Sequence, residues 1–501
     1  MNTRPIISTV LFALALVLLP GCDEILATYG TLTPIAPAPS LLSVTSTPTS
    51  PAATVAPTAA NTATASIQRP GIVFGAQINA DEIVPACNAV RQLGIKATTL
   101  WLRWSNVEPR KGVMRWDEAD IALQNFINCG VNDIGIHFQS KSDWATLPSP
   151  TTAPGADAVS MPPRNMQEYS NVVASIATHF KGRVRRYSIE NEAMSPASWP
   201  GSTAGYFDLL KTAQRAIKAA DPDALVLDSG TGGRAYGLIL ANQLLQSGLG
   251  PSAVQYMNDY YAHFAIAAKP PNFKTPADLQ SYFNSTLLQS EVEVSPMQRM
   301  GEWMPLLYSK NTAYDINQIH YDGPWQKLTD VINYVRTQLN SGGQLRPLEF
   351  WELGYGWQDR QTYDPNTHAQ DVVKLLTIAA GEGVSRIIYR PLVDKPESST
   401  PGLVKGDQLT PAGAAYRLTT QMLAGSTGAQ HIDLGNHAVW AYRFSRNGSE
   451  TFVVWSTTPA AVRIPFGSAK VLVTDISGRA MTLNPQTITV THSPLFIQAA
   501  P

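Results

Sequence analysis

Tyr187-Ser188-Ile189-Glu190-Asn191-Glu192 closes an apolar run that starts at Val184, so a short strand ends in two carboxylates. Period-two alternation puts Glu190 and Glu192 on the same side of that strand. Upstream, strand-like runs stand at residues 71–75, 98–103 and 134–138; downstream they stand at 224–228, 316–321, 348–351 and 386–389. Helical patterns fall between them, at residues 86–93, 117–128 and around 166–180. The second of these has Gly130 just past its end, where helices stop. Strands that alternate with helices argue for a parallel sheet, and eight such units argue for a (β/α)₈, or TIM, barrel with inserted loops. Residues 236–313 are long and helix-rich between two strands, and their organisation is the least defined.

After Gly425 the texture becomes all-β. Residues 440–444, 451–455 and 470–474 read as strands, with Arg446-Asn447-Gly448 and Ser477-Gly478 as turns. A small β-sandwich-like domain over residues 426–501 is expected. It follows the last barrel helix without a linker, so it should support the barrel rather than bind substrate. The barrel itself should occupy 70–425. Of the 501 residues, 44% are hydrophobic and 15% charged, and the formal net charge is -1. No basic field is present to attract nucleic acid or an anionic membrane surface. Gly230-Thr231-Gly232-Gly233 lacks the flanking pattern and the Lys of a phosphate loop and reads as a barrel loop. No dense Cys/His cluster appears, so neither metal nor cofactor is implied.

The first 22 residues read as a processing signal. Arg4 supplies the positive start, residues 6–19 form an apolar run too short to span a bilayer, and Leu19-Pro20-Gly21-Cys22 resembles a bacterial lipobox. That resemblance implies lipid on Cys22, and membrane association through this anchor alone. Residues 23–69 are rich in Pro, Thr, Ser and Ala, and no charged residue falls between Ile25 and Gln68. Such a segment buries too little apolar surface to fold and reads as a tether. In an exported chain, Cys87 and Cys129 fit either a disulfide or two buried thiols.

Barrel sites sit at the C-terminal ends of strands, which brings Glu192 and the Glu352 of Pro347-Leu348-Glu349-Phe350-Trp351-Glu352-Leu353-Gly354-Tyr355 to one face. In these motifs the chain resembles clan A of the glycoside hydrolases, which includes cellulases, mannanases, β-xylosidases and β-galactosidases. The Asn-Glu pair closing strand four falls on Asn191-Glu192, and the resemblance implies that Glu192 is the general acid/base. The Glu closing strand seven falls on Glu352 and is implied to be the nucleophile. Residues 102–112, from Leu102 to Gly112 and followed by Trp116-Asp117, resemble the clan's second strand, where the Arg (here Arg103) sits beside the nucleophile. Asp143-Trp144-Ala145 resembles xylosidase-like members, and His320-Tyr321 the His-bearing sixth strand. Three positions depart from the pattern: Ala193, Trp351 and Asp322 stand where Pro, Thr and an aromatic are common.

The resemblance thus implies a retaining hydrolase acting on oligo- or polysaccharide through two carboxylates. Arg103, Trp104, Trp144, Asn191, His320 and Tyr321 are the expected substrate-binding residues. Trp199, Trp325 and Trp357 also lie near strand ends, as sugar platforms or as packing. Glu190 and Glu349 compete with Glu192 and Glu352; the Asn-Glu motif and the position at the strand end favour the latter pair. A sugar-binding lipoprotein without catalysis is the alternative, and it needs no such pair. The anchor is tested by mass spectrometry of the membrane fraction. A mature N-terminus at Cys22 carrying lipid is expected, and an unlipidated N-terminus elsewhere overturns it.

Overall fold

The computed structural model describes residues 71–148, 160–262, 264, 270–286, 294–355, 363–395 and 400–500. The signal segment, Cys22, the tether and Trp357 lie outside the described residues. Eight parallel strands line the barrel: β1 (Val73–Ala76), β2 (Ala97–Arg103), β3 (Asp133–Gln139), β4 (Arg186–Ile189), β5 (Leu225–Leu227), β6 (Asn317–Tyr321), β7 (Leu348–Gly354) and β8 (Arg386–Arg390). They hydrogen-bond in the order β5-β4-β3-β2-β1-β8-β7-β6. Each matches an expected apolar run to within a few residues. Among the described residues, seven helices fill the β-to-β connections outside the β5–β6 crossing or close the barrel after β8, from Ile83–Leu93 to Pro411–Leu423, apart from the short turn Trp104–Val107. Among the described residues, the ill-defined stretch between β5 and β6 holds four helices: Gly233–Gln246, Gly250–Tyr261, Pro276–Thr286 and Val294–Leu307.

The ring closes at β5–β6 through two isolated parallel bridges, Leu227 with Ile316 and Thr231 with Ile319. Side chains stitch this seam. Asp228 accepts from the Gln318 backbone N–H at 2.7 Å and from Asn317 Nδ2 at 3.2 Å, while Asp315 accepts from the Val226 N–H at 2.8 Å. Side-chain carboxylates thereby take donors that a longer strand would have paired.

The barrel lumen is layered. At its floor, residues at the starts of four strands form an ion network: Arg186 meets Asp133 and Glu349, both at 2.9 Å, and Arg386 meets Asp133 at 3.2 Å. Above it Trp351 crosses the lumen. Its Nε1 donates to Glu349 at 2.9 Å, and the Arg386 guanidinium lies 4.9 Å from its ring. Opposite, a Cβ on Gly135 would stand 2.4 Å from the Trp351 ring, so β3 needs a glycine there. This explains the departure at Trp351: the indole plugs the barrel beneath the site.

Cys87, on Ile83–Leu93, and Cys129, after Asp117–Asn128, form a disulfide with Cα atoms 5.2 Å apart. Of the two readings open from the sequence, the bonded one holds.

The C-terminal region forms a six-stranded antiparallel sheet, faced by a two-stranded one made of Ala460–Val462 and Ile488–Val490. Val439–Arg446 and Ser449–Ser456 form a hairpin whose two-residue loop, Asn447-Gly448, has both φ angles positive at 50° and 80°. A type I′ turn requires this, and Asn-Gly supplies it. One face of the large sheet, through Tyr442, Phe444, Val453, Trp455 and Phe496, joins the barrel's own core. Trp325 packs edge-on against Trp440 and Trp455, with centroids 5.4 and 5.7 Å away. The described barrel and C-terminal sheets belong to one compact unit, Ile67–Pro501. Cutting the chain after Gly425 would bare this aromatic face, and an insoluble or non-cooperatively melting barrel is expected. Soluble expression with a sharp thermal transition would show that the barrel needs no cover.

Candidate active site

At the end of β4 the backbone twists into the left-handed region twice, at Glu190 (φ 63°) and Glu192 (φ 46°). Such φ values cost a non-glycine residue about 1–3 kcal/mol and persist only where the surroundings enforce them. Here the Glu190 N–H donates to Phe138 O at 2.9 Å and the Glu192 N–H to Ser229 O at 2.7 Å. The double twist sends the two side chains apart. Glu190 is fully buried and accepts from the Ser140 N–H at 3.1 Å. Burial pushes its carboxyl up to about 7. Glu192 is part-exposed and turns toward the barrel axis, where its Oε1 accepts from His320 Nδ1 at 2.9 Å.

A register shift separates Phe350 from Leu353 in the β7–β8 pairing. Such an irregularity lets Glu349 and Glu352, an odd number of residues apart, both face the lumen. Glu349 belongs to the floor and Glu352 to the mouth. Glu352 pairs with Arg390 Nη1 at 2.5 Å and lies 4.0 Å from His320 Nδ1. Burial alone would raise its carboxyl; Arg390, then His320, outweigh that and hold it below its ordinary value. One oxygen from each glutamate and one nitrogen of His320 all lie within 4.8 Å of one another. Among the described residues these three groups form the only cluster of metal-ligand geometry, and Arg390 already neutralises its Glu352 side.

His320 is 2% exposed. Burial would lower its pKa, but the charge of Glu352 and the hydrogen bond it donates to Glu192 raise it overall. Its Nε2 lies 2.6 Å from Gln318 Nε2, while Gln318 Oε1 has no partner. The amide donates to a neutral imidazole in this orientation. Turned over, it accepts from an imidazolium, so Gln318 serves both charge states. Behind His320, His137 stacks on Trp101 at 4.3 Å, and burial lowers its pKa to about 3, keeping it neutral.

The glycine-rich loop after β5 is a ledge against which the site is built. A Cβ on Gly230 (φ 75°) would stand 2.5 Å from His320 Nε2; on Gly232 it would stand 3.0 Å from Glu192 Oε1, and on Gly233 2.4 Å from Asp322 Oδ1. Glycine at these positions makes room for two carboxylates and an imidazole.

Asn191 lies beside Glu192, with its Oδ1 shielded and unpartnered. Trp144 is half-buried at the rim, its Nε1 donating to Glu108 O at 2.9 Å. Three expectations are corrected. Trp104 is fully buried and donates to Glu108 Oε2 at 2.8 Å, so it is core rather than a sugar platform. Tyr321 alternates away from His320 into the helix layer, where its hydroxyl donates to Pro324 O at 2.6 Å. Arg103 is exposed at the end of β2, and the cation on Glu352 is Arg390 from β8. Trp199 and Trp325 are likewise buried. Arg390 escaped the sequence reading although a signal existed: a charged residue closing the apolar run Ile387-Ile388-Tyr389.

A group whose folded pKa is depressed, as in Glu352, adds stability above its unfolded value near 4.5, and that stability is lost as pH falls through the folded value. Arg390→Met leaves a buried carboxylate without its cation, at a cost on the order of 3 kcal/mol at neutral pH. The variant carboxyl escapes by taking a proton in mild acid, so the Tm gap to the parent protein should narrow as pH falls. A gap constant from neutral to acidic pH would reject the pairing.

No protein-family model and no curated protein matches the chain. Solved structures do. A family 39 glycoside hydrolase from the gut symbiont Bacteroides cellulosilyticus WH2 superposes with a TM-score of 0.55 at 16% identity, over 86% of this chain and 81% of that one. A family 39 β-xylosidase from Caulobacter crescentus gives 0.51 at 15%, over 87% and 98%. A conserved exported protein from Bacteroides fragilis gives 0.54 at 12%, over 86% and 99%. At these identities the likeness establishes a shared fold, a barrel with a β-rich C-terminal region.

Proposed function

We propose that the protein is a retaining glycoside hydrolase, exported and held at the cell surface by lipid on Cys22. The observation that carries this reading is the approach of Glu192 and Glu352, from the ends of β4 and β7, to within 4.8 Å. Carboxyl groups about 5–5.5 Å apart suit direct attack on the anomeric carbon, whereas an inverting enzyme needs about 6.5–9.5 Å to admit a water between them. Glu352, kept anionic by Arg390, attacks the anomeric carbon, and the glycosidic C–O bond breaks as Glu192 protonates the leaving oxygen. Glu192 then takes a proton from water, which displaces Glu352 from the sugar. His320 touches Glu192 and neighbours Glu352, so it can follow the charge as it moves between them. Asn191, with a free acceptor, is placed to bind a substrate hydroxyl, and Trp144 and Arg103 stand at the rim. The family 39 β-xylosidase among the structural neighbours makes β-xylosides the first substrates to try.

Purified protein assayed on a panel of 4-nitrophenyl β-glycosides tests the reading. Glu352→Gln should abolish turnover of every member, because no covalent intermediate forms. Glu192→Gln should give a burst of nitrophenol and then slow turnover, which added azide speeds, since a nitrophenolate leaves without much protonation. Proton NMR should show retention in the first-formed anomer. Unchanged activity in both variants rejects the mechanism, and a parent protein that binds sugars yet hydrolyses none supports the non-catalytic alternative.

A further inference from the structure

Glu190 is a buried carboxyl that the two-carboxylate chemistry leaves unused, two residues before the proposed acid/base. Its backbone stands in the left-handed region at φ 63°. A glycine adopts that φ without strain, and an apolar side chain accepts burial without a polar partner. Neither the turn nor the core calls for a glutamate at this position, so its role lies in what the carboxylate touches.

Its partners lie on the loop that follows β3. Both carboxylate oxygens accept from the Ser140 N–H, at 3.1 and 3.3 Å. The Ser160 hydroxyl, buried and without another hydrogen-bond partner, also favours the charged form. Ser140 Oγ in turn donates to Met161 O at 2.7 Å, and the Leu147 N–H donates to Pro162 O at 2.9 Å. The outgoing and returning legs of the loop are joined there, and the Glu190 carboxylate sits at the junction. Further out, the loop is fixed again where Trp144 donates to Glu108 O at 2.9 Å.

The main chain of Glu190 is tied to the same stretch, because its N–H donates to Phe138 O at 2.9 Å. Two attachments, one through the backbone and one through the side chain, fix a rotation that either alone would leave free. A strained φ persists only where the surroundings over-determine it, and here they do so at Phe138 and Ser140. With Asn191 alone between them, any rotation at Glu190 swings the Glu192 side chain, whose Oε1 accepts from His320 Nδ1 at 2.9 Å.

We propose that Glu190 is a positioning residue for the proton donor: its carboxylate, bound to the loop after β3, holds the chain in the left-handed turn that aims Glu192 at the leaving oxygen. The inference rests on the glycosidase reading and deepens it. Glu190 touches neither the substrate nor the reacting atoms and acts through Glu192. Its loss therefore harms proton delivery more than attack by Glu352, which stands on another strand with its own cation.

Leaving-group dependence separates this role from a structural one. In the full-length protein, kcat/KM is compared for the phenyl and the 2,4-dinitrophenyl glycoside of whichever sugar the protein turns over. Glu190→Asp keeps the charge and tolerates a left-handed backbone, but withdraws the carboxylate from Ser140 by one methylene. It should lower kcat/KM on the order of thirtyfold for the phenyl glycoside, whose leaving group needs the proton, and less than about threefold for the dinitrophenyl glycoside, which leaves without it. Glu190→Gln keeps the shape and an acceptor for the Ser140 N–H, and should restore most of the phenyl activity. Ser160→Ala removes one donor without opening the core, and should show the same selectivity at about threefold; it decides the matter if Glu190→Asp does not fold. Equal loss on both glycosides marks a smaller folded fraction and overturns the positioning role, as does no loss on either. A burst with azide-accelerated release in Glu190→Gln would make Glu190 the acid itself and overturn it as well. A parent protein that turns over no aryl glycoside overturns the glycosidase reading, and this inference with it.

Discussion

Two carboxylates within 4.8 Å of each other, one of them buried, repel strongly in a medium less polar than water. The mouth of the barrel is organised around that repulsion. Arg390 neutralises Glu352 from the β8 side, and His320 spans the gap to Glu192 from β6. Each partner is itself held. Gln318 supports His320 in either charge state, and the glycine ledge leaves the imidazole and the Glu192 side chain the space they need. The asymmetry follows from the contacts, because the arginine touches one glutamate and leaves the other at the exposed edge.

The same lumen uses charge differently at its two ends. At the floor, Arg186, Arg386, Asp133 and Glu349 pair with one another, and Trp351 seals them off. At the mouth the charges point toward open space and can act on a ligand. The register shift in β7 separates the layers, since it brings Glu349 and Glu352 to one side of the sheet at different heights. A strictly alternating strand would have turned one of them into the helix layer.

Much of this was legible in the sequence. Apolar runs bounded by polar turns located all eight strands, because parallel strands covered on both faces need such runs. The Asn191-Glu192 pair and the position of Glu352 pointed to the two residues that the fold brings together. What the sequence obscured depends on direction and distance. Trp104 and Trp144 read alike, yet one is sealed by the helices and the other stands at the rim. His320 and Tyr321 are neighbours on the chain and face opposite layers. Cys87 and Cys129 are equally consistent with free thiols until their Cα atoms are known to lie 5.2 Å apart. The helices between β5 and β6 show no strand signal, which left that stretch the least defined in the sequence.

The left-handed conformations of Glu190 and Glu192 set this corner of the barrel against its own stability. Among the described residues, the only other non-glycine with positive φ is Asn447, in a turn that suits it. A glycine at position 192 would relieve backbone strain, and it would delete the carboxylate. The fold therefore has a downhill route away from its chemistry at the residue where that chemistry is concentrated. Selection for thermal tolerance alone, with no demand on activity, would be expected to erode this position before the ion network at the floor, where each charged group has an oppositely charged partner and its loss only destabilises.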